Sequence, residues 1–240
     1  MTDFNGTPWS RKDYARRYVE AADIIVPQRR VFLRLLVSFY RRFLGGKAGR
    51  RILDLGCGDG FMTEGILRAD PYASATLVDA SPEMIDRAKE RLKDFGNMRF
   101  VRSTLEELTE KGIAPGGFDL AFSALAIHHL EPSKKLDLFA CIHSHLAPGG
   151  FFINMDDCIP PSDSLEDWYV DLWREEMTEK EEESGRKIDR ERFIRRHMEG
   201  EHHSRLETIG ALLKKLEEAG YREVECYYKY GMFAMYGGRR

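Results

Sequence analysis

The first fifty residues carry hydrophobic side chains at helical spacing. Apolar residues recur every three or four positions at Val31, Leu35, Leu36, Phe39 and Phe43. This spacing gives a helix one apolar face, and the pair Gly45-Gly46 marks the end of that helix. The pattern predicts helix across residues 9–44, in at least two pieces that break near Pro27.

Beyond residue 50 the apolar residues gather into short runs that alternate with helical segments. Five runs predict strands: RILDL, ATLVDAS, MRFVRST, FDLAFSAL and GGFFINM. Between them, helices are predicted at Met62–Ala69, from Ser81-Pro82-Glu83 onward, at Leu105–Leu108 and at Pro132–Leu146. Such alternation predicts a parallel sheet with right-handed crossovers and helices on both faces.

The alternation stops over residues 155–205, which are polar and rich in helix-forming residues. It resumes with a helix at Leu206–Ala219 and two strands, REVECYYKY and MFAMYGG, joined by Gly231 as an antiparallel hairpin. We therefore predict an α/β fold with one Rossmann-like core, residues 49–154 and 206–240. An N-terminal helical arm (1–48) acts as a lid, and a helical insertion (155–205) before the final hairpin covers the substrate.

Composition narrows the class of protein. A chain of 240 residues, 42% hydrophobic and 32% charged, fits one globular α/β core with an appendage. No apolar run approaches the roughly 20 residues of a membrane span, and no secretory signal is evident. Four scattered cysteines without a C-x-x-C pair predict reduced thiols in a cytoplasmic protein. The net charge of −3 argues against nucleic acid as a partner. The first fifty residues are nevertheless basic, and a positively charged rim that attracts an anion, or a contact with nucleic acid, stays an alternative there.

The first predicted strand ends in a glycine-rich loop, Gly56-Cys57-Gly58-Asp59-Gly60. Phe61 stands where a dinucleotide fingerprint requires glycine, and no Gly-Lys-Ser/Thr follows to cradle phosphate. Asp54 precedes the loop, and its carboxylate repels pyrophosphate but suits a cationic amino group. Asp79 ends the second strand, where a carboxylate binds a ribose diol. A ligand with a ribose, a positive charge and no phosphate is indicated, and S-adenosylmethionine fits; a tight turn without a ligand is the alternative.

Four segments in this order resemble the motifs of class I S-adenosylmethionine-dependent methyltransferases: ILDLGCGDG, LVDASPEMIDRAKERL, FDLAFSALAIHHL and LAPGGFFI. They are similar to the small-molecule branch that includes ubiquinone-biosynthesis-like and type 12 enzymes. The resemblance covers residues 50–155 and the ending LKKLEEAGYREVECYYKYGMFAMYGG. It implies a seven-stranded, mostly parallel sheet with an antiparallel last strand. It also implies methyl transfer by in-line displacement to a small-molecule acceptor, with S-adenosylhomocysteine as product.

The resemblance also assigns the cofactor-binding residues. Asp54 and the loop residues Gly56, Cys57, Gly58 and Gly60 would hold the methionyl part, and Asp79 the ribose hydroxyls. Ala80 and Met84 would flank the adenine, and Ser123 and Ala124 would approach the methionyl end through backbone contacts. The other two cofactor-binding candidates are Thr104 and Leu105. Thr104 departs from the family, which often carries an acidic residue there to bind the adenine amine.

Three residues are candidates for catalysis. Tyr18 begins YVEAADIIVP, which resembles a segment that folds over the cofactor in relatives, with Val19 replacing the usual aspartate. Packing within the arm is the alternative for Tyr18. His128 and His129 follow the fourth strand, where a histidine can serve as general base. The alternative, which we favour, is that they order the loop, since methyl transfer often needs no base.

Carboxylates and histidines near the C-terminal half raise the question of a metal. Asp156 and Asp157 follow the fifth strand and suit either a divalent cation or an acceptor amine, but no third ligand accompanies them. The segment HMEGEHH lacks the H-E-x-x-H spacing of zinc enzymes and is interpreted as a solvated helix end. We predict no metal, and a monomer or homodimer.

Rival functions stay open at this point. The same cofactor with an RNA base as acceptor would use the basic arm, and a non-catalytic protein that binds S-adenosylmethionine would keep the loop and Asp79. A nicotinamide oxidoreductase is disfavoured by Phe61 and Asp54.

Overall fold

The fold is taken from a computed structural model, which describes residues 4–113, 115–200 and 203–240. Two helices, α1 (Lys12–Ile25) and α2 (Arg29–Phe43), form the arm that precedes the sheet. They meet at Gln28, whose φ of 54° lets the chain turn between them. The predicted break near Pro27 is therefore present.

Seven strands form a single sheet in the described part of the chain. The strands are β1 (Arg51–Leu55), β2 (Ser74–Asp79), β3 (Met98–Arg102), β4 (Phe118–Ala124), β5 (Leu146–Asp157), β6 (Arg222–Tyr230) and β7 (Phe233–Arg239). Their order is β3-β2-β1-β4-β5-β7-β6, and β7 runs antiparallel to both of its neighbours. The first five strands are parallel, so the predicted seven-stranded sheet with an antiparallel last strand is confirmed.

Helices cover both faces of the sheet and divide the core in two. The helices after the arm are α3 (Phe61–Ala69), α4 (Pro82–Arg91), α5 (Leu105–Lys111), α6 (Pro132–His145), α7 (Asp163–Ser184), α8 (Arg190–Glu199) and α9 (Ile209–Glu218). Side chains alternate between faces along a strand. Ile52 accordingly packs with the arm and α3, whereas Leu53 and Leu55 pack with α6 and α9. By the same alternation Asp54 faces the arm.

Strand β5 is longer than predicted. It extends to Asp157, two residues past the predicted end at Met155, because β7 continues to pair with it as far as Asp157 opposite Phe233. The strand also starts earlier, at Leu146, three residues before the predicted start at Gly149. Asp156 and Asp157 are thus strand residues with buried side chains rather than the start of a polar loop.

The polar segment after β5 folds back onto the arm. Its long helix α7 is anchored where Trp173 Nε1 donates to the Ile25 carbonyl at 2.8 Å. A second contact joins the Gln28 amide to Glu176 Oε1 at 2.7 Å. Two segments about 150 residues apart in the chain therefore cover the same face of the sheet. Among the described residues, no helix combines the length and apolarity that a bilayer span demands.

Candidate functional site

The glycine loop is fixed against the end of β2. The amides of Gly56 and Cys57 both donate to the Val78 carbonyl, at 2.8 and 2.9 Å. Gly56 has a φ of 69°, and a Cβ there would lie 2.3 Å from the Ala126 Cβ, so only glycine fits. Gly58 is different, because nothing lies within 4 Å of the place its Cβ would take. The loop is therefore tightly held at its start and leaves open space at Gly58.

Asp79 joins the loop to the next helix. Its two carboxylate oxygens accept hydrogen bonds from the Gly58 amide at 2.9 Å and the Ser81 amide at 2.8 Å. Burial raises the pKa of the Asp79 carboxyl above its usual value, and these backbone donors offset part of that effect. The strand end thus presents a carboxylate at a fixed position. Ala80 follows it half-buried, and Met84 lies buried one turn into α4.

Asp54 is almost completely buried, with 2% of its surface exposed. The Thr63 hydroxyl, on α3, donates to Asp54 Oδ2 at 2.5 Å. Burial raises the pKa of Asp54 to about 7; the Thr63 hydrogen bond lowers it, and the carboxylates of Asp79 and Asp59 raise it further. Burying an ionised carboxylate without a partner costs free energy, and a cationic group bound beside Asp54 would offset that cost.

A narrow cavity of about 80 Å³ lies between the glycine loop and the arm. Seven of the predicted site residues line it: Tyr18, Asp54, Gly56, Cys57, Gly58, Met84 and Ala124. Six predicted cofactor residues lie outside its lining: Gly60, Asp79, Ala80, Thr104, Leu105 and Ser123. The far end of the cavity is apolar, with Phe32, Met155 and Phe233 beside Asp156.

Two of the residues outside the cavity use their hydroxyls locally. The Thr104 hydroxyl accepts from the Glu107 amide at 3.1 Å, and with the Glu107 side chain it forms a capping box at the start of α5. The Ser123 hydroxyl is fully buried and donates to the Leu55 carbonyl at 2.7 Å. Leu105 begins α5 and packs against the core on the other face of the sheet.

Sequence reasoning did not identify Arg29 as a site residue. Its guanidinium lies 3.7 Å from the centre of the Phe61 ring and pairs with Asp23 at 2.6 Å. It also lies 3.9 Å from Asp59 of the glycine loop. The basic residues of the arm were noted in the sequence, but only the fold reveals which one reaches the loop. Arg29 connects the arm to the cavity wall, and Phe61 has a structural use beyond excluding a dinucleotide.

Tyr18 lies in an aromatic group at the roof of the cavity. Trp9 packs edge-on against Tyr18 and Tyr14, with ring centres 4.9 and 5.0 Å away. Burial raises the pKa of Tyr18 well above its usual value; Arg29 lowers it and the Asp157 carboxylate raises it further. Tyr18 therefore stays protonated and offers a hydroxyl donor and an aromatic face.

The two histidines have different surroundings. His128 Nδ1 lies 2.5 Å from Asp156 Oδ1, and the His128 amide donates to the other Asp156 oxygen at 2.9 Å. Burial lowers the pKa of His128, but the carboxylates of Asp156 and Asp157 more than compensate and raise it above its usual value. His129 instead accepts from Trp9 Nε1 at 3.2 Å. Neither ring is among the residues that line the cavity.

Asp156 and Asp157 are neighbours at the end of β5, and both carboxylates approach His128 Nδ1, at 2.5 and 3.9 Å. Asp156 is tied to His128, the Asn154 side chain and the Asp157 amide. Asp157 shares its face with Met155, towards the arm, and burial raises its pKa to about 7 despite His128 nearby. Asp157 Oδ1 is buried without a hydrogen-bond partner in the described part of the chain. Within that part no group of three or more potential metal ligands occurs; Glu201 and His202 of HMEGEHH lie outside it.

Comparison with known proteins agrees with this architecture. Residues 52–150 match a family model described as a methyltransferase domain. Over those residues the chain is therefore similar to methyltransferase domains. An uncharacterized methyltransferase of Synechocystis is 32% identical over 108 residues, which is 45% of this chain and 47% of that protein. A malonyl-[acyl-carrier protein] O-methyltransferase of Ilyobacter polytropus is 32% identical over 106 residues, 44% of this chain and 37% of its own length.

The chain spans less than half the length of these relatives, and the matched part is the domain that holds the glycine loop. Among solved structures, an O-methyltransferase family protein from Burkholderia thailandensis superposes with a TM-score of 0.67 at 15% identity. The match covers 98% of this chain and 62% of that one, and it concerns the fold alone. Other solved proteins of this fold are complexes with S-adenosylmethionine or S-adenosylhomocysteine.

Proposed function

We propose that this protein transfers a methyl group from S-adenosylmethionine to a small-molecule acceptor. The observation that carries the proposal is the cavity at the glycine loop. It combines a buried carboxylate at Asp54 with open space at Gly58, next to the fixed carboxylate of Asp79. These groups suit an ammonium, a close backbone approach and a ribose diol, and the loop lacks the residues that would cradle phosphate.

The residues fit the cofactor part by part. Asp54 would hold the amino group of the methionyl moiety, and Asp79 would accept from the ribose hydroxyls. Met84 and Ala80 would border the adenine, with Thr104 and Leu105 beyond them. Cys57, Gly60, Ser123 and Ala124 would shape the strand ends around the ligand. The alternation of side-chain direction along β1 supports Asp54 in this role, because it places the Asp54 carboxylate on the same face as Ile52, where the cavity lies.

When bound, the cofactor supplies an electrophilic methyl group on a sulfonium. The chain's own contribution is to orient the acceptor and keep water out. The arm would act as a lid: Tyr18 lines the cavity, and Arg29 ties α2 to Phe61 and the loop. The segment 155–205 would cover the acceptor, because α7 is anchored to Ile25 of the arm.

The histidines have positioning roles in this proposal. His128 orients Asp156 at the cavity wall, and His129 holds Trp9 against Tyr18. A small acceptor is favoured over RNA because arginines of the arm engage carboxylates of the chain itself, as Arg17 does with Asp13 and Arg30 with Asp23. The cytoplasmic location and the monomeric or dimeric state remain predictions.

Binding measurements test the proposal. Titration calorimetry with S-adenosylhomocysteine should give a measurable affinity for the wild-type chain. Asp79→Ala should weaken it by about tenfold or more, since two hydrogen bonds to a charged acceptor are lost. Asp86→Asn, an exposed change on α4, is the matched control and should leave the affinity unchanged. Absence of binding to the wild-type chain would refute the proposed function.

A further inference from the structure

The carboxylate of Asp157, at the end of β5, has no role in the proposed cofactor site, yet it is buried. It is 6% exposed, and its Oδ1 has no hydrogen-bond partner within the described residues. Leaving a charged oxygen buried without a donor is costly, so a native structure keeps one only where something supplies the donor. The missing donor is the first sign of a ligand.

Strand geometry directs this side chain towards the acceptor end of the cavity. Met155, two residues earlier on the same face of β5, lines the cavity. Phe233, the partner of Asp157 in the β5–β7 pairing, lines it as well. Asp157 also contributes to the raised pKa of Tyr18, whose ring is at the roof. Asp157 itself is not among the lining residues, but these neighbours place its carboxylate beside the end of the cavity that Met155 and Phe233 form.

The charges around this position favour a cation. Three carboxylates line the cavity, at Asp54, Asp59 and Asp156, and Asp157 adds a fourth beside it. Arg29 is the basic residue that the described part of the chain contributes to the lining, and its guanidinium is already paired with Asp23 and stacked on Phe61.

Charged groups on neighbouring elements are also engaged. Of the groups facing Asp157, His128 Nδ1 is bound to Asp156, and His197 Nδ1 lies 3.7 Å from Asp157 Oδ2. Lys135 forms an ion pair with Glu207 at 3.4 Å, and Arg205 forms one with Glu131 at 2.6 Å. Lys229 donates to the Tyr169 hydroxyl at 2.9 Å and to the Gly231 carbonyl. A carboxylate ligand would therefore have to displace an existing contact of each of these cationic groups of the described chain.

Aromatic rings surround the same place. Trp173 lies edge-on to Phe233 at 5.7 Å and to His197 at 5.2 Å, and Tyr18 lies across the cavity. Aromatic walls stabilise alkylammonium groups through their negative faces, whereas they give nothing to a carboxylate. The combination is a carboxylate that lacks a donor within an apolar, aromatic enclosure.

Resting on the proposed function, we infer that the methyl acceptor is an amine whose nitrogen donates a hydrogen bond to Asp157 Oδ1. This differs from the malonyl-[acyl-carrier protein] O-methyltransferase relative, whose name specifies oxygen as the attacking atom. In the reaction, the bound ammonium first gives one proton to Asp157, and its nitrogen regains a lone pair. That nitrogen forms the new N–CH₃ bond as the S–CH₃ bond breaks, with the bonding pair remaining on sulfur. The products are a methylated ammonium and neutral S-adenosylhomocysteine, and Asp157 returns its proton to water.

The raised pKa of Asp157, about 7, suits a group that accepts a proton near neutral pH and then releases it. Asp157 would be a catalytic residue in this sense, since it touches the substrate. Asp156 and His128 would position it, because Asp156 accepts from the Asp157 amide and His128 Nδ1 lies 3.9 Å from Asp157 Oδ2.

The test is a binding experiment that needs no turnover. The full chain is saturated with S-adenosylhomocysteine and then titrated by calorimetry with three matched series of arylalkyl probes: primary amines, alcohols and carboxylic acids of equal length. We expect at least one amine to bind about tenfold more tightly than its matched alcohol and acid. Asp157→Asn should remove that preference while affinity for S-adenosylhomocysteine changes less than about twofold. Asp94→Asn, an exposed change in the loop after α4, should leave both unchanged.

Other outcomes overturn the inference. Binding of no amine to the loaded chain, equal or tighter binding of alcohols or acids, or an unchanged preference in Asp157→Asn would each do so. The wild-type ranking of the three series stands as a test even if Asp157→Asn does not fold. Failure of the proposed function is distinguishable, because the wild-type chain would then not bind S-adenosylhomocysteine in the first step.

Discussion

Replacing Asp54 with asparagine should stabilise the ligand-free protein, and by an amount that depends on pH. The folded-state pKa of Asp54 is about 7, against an ordinary value of 3.8. Because the folded value is the higher one, the neutral carboxyl favours folding below about pH 4, and this contribution disappears as pH rises to 7. Asparagine has the same shape and still accepts from Thr63, but it never ionises.

The size of the effect follows from the two pKa values. One pKa unit corresponds to about 1.36 kcal/mol, so ionised Asp54 lowers the free energy of unfolding by about 4 kcal/mol at pH 8. At pH 5 the same relation gives about 2 kcal/mol, because folded Asp54 is then still protonated and only the ionisation of the unfolded chain, whose pKa is 3.8, lowers the free energy of unfolding. The advantage of Asp54→Asn over wild type should therefore grow by about 2 to 3 kcal/mol between pH 5 and pH 8.

Urea unfolding followed by circular dichroism at pH 5, 6, 7 and 8 measures this difference. Asp86→Asn, exposed on α4, serves as control and should show nearly the same offset from wild type at each pH. A constant stability difference between Asp54→Asn and wild type across this range would refute the reasoning. So would a loss of stability in the variant that grows with pH.

Three further predictions concern the cofactor site. The affinity of the wild-type chain for S-adenosylhomocysteine should fall as pH drops below 7, by up to about tenfold per pH unit, because the ligand's ammonium requires ionised Asp54. In the same calorimetric titration, Asp54→Asn should bind S-adenosylhomocysteine weakly and with no such pH dependence. Gly56→Ala should lower the free energy of unfolding by about 2 to 4 kcal/mol, because the new Cβ clashes with Ala126. Gly58→Ala should lower the free energy of unfolding by only about 1 to 2 kcal/mol, yet weaken S-adenosylhomocysteine binding about tenfold. Equal stabilities of the two glycine variants in urea would contradict the geometry. Thr104→Ala should lower the free energy of unfolding by about 1 kcal/mol, because the cap of α5 is lost, and Thr104→Ser should stay close to wild type. If urea unfolding gives Thr104→Ala the same free energy of unfolding as wild type, the capping box is dispensable.

Much of the fold is readable from the sequence because local patterns and global structure agree. The strand-helix alternation, the break near Pro27 and the antiparallel hairpin all follow from periodicity and turn residues. Strand β5 was underestimated because its last two residues are aspartates, which polarity alone assigns to a loop. Their place in the strand depends on pairing with Phe233 and Ala234, about 75 residues later in the chain.

The site was less accessible to sequence reasoning for the same physical reason. The loop glycines and Asp54 are neighbours in sequence, so their spacing carries information about the cavity. The contacts of Arg29 with Phe61 and of His128 with Asp156 join residues that are 32 and 28 positions apart. No local pattern encodes such pairs. The sequence is compatible with a metal or an amine at Asp156 and Asp157. Both side chains are buried, and only the hydrogen bonds of the fold distinguish Asp156, which is bound on both oxygens, from Asp157, whose Oδ1 lacks a donor within the described residues.

The place of β7 in the sheet has a consequence for synthesis. β7 is reached after β6 along the chain, yet it lies between β5 and β6. While a ribosome is still adding residues up to 232, the growing polypeptide has no strand that can cover the free edge of β5 in the native arrangement. That edge is apolar over Phe151–Ile153 and would be open to pairing with other nascent chains. Completion of the hairpin both pairs the edge of β5 and adds Phe233 to the wall of the cavity, so the same step protects the chain from aggregation and completes the pocket.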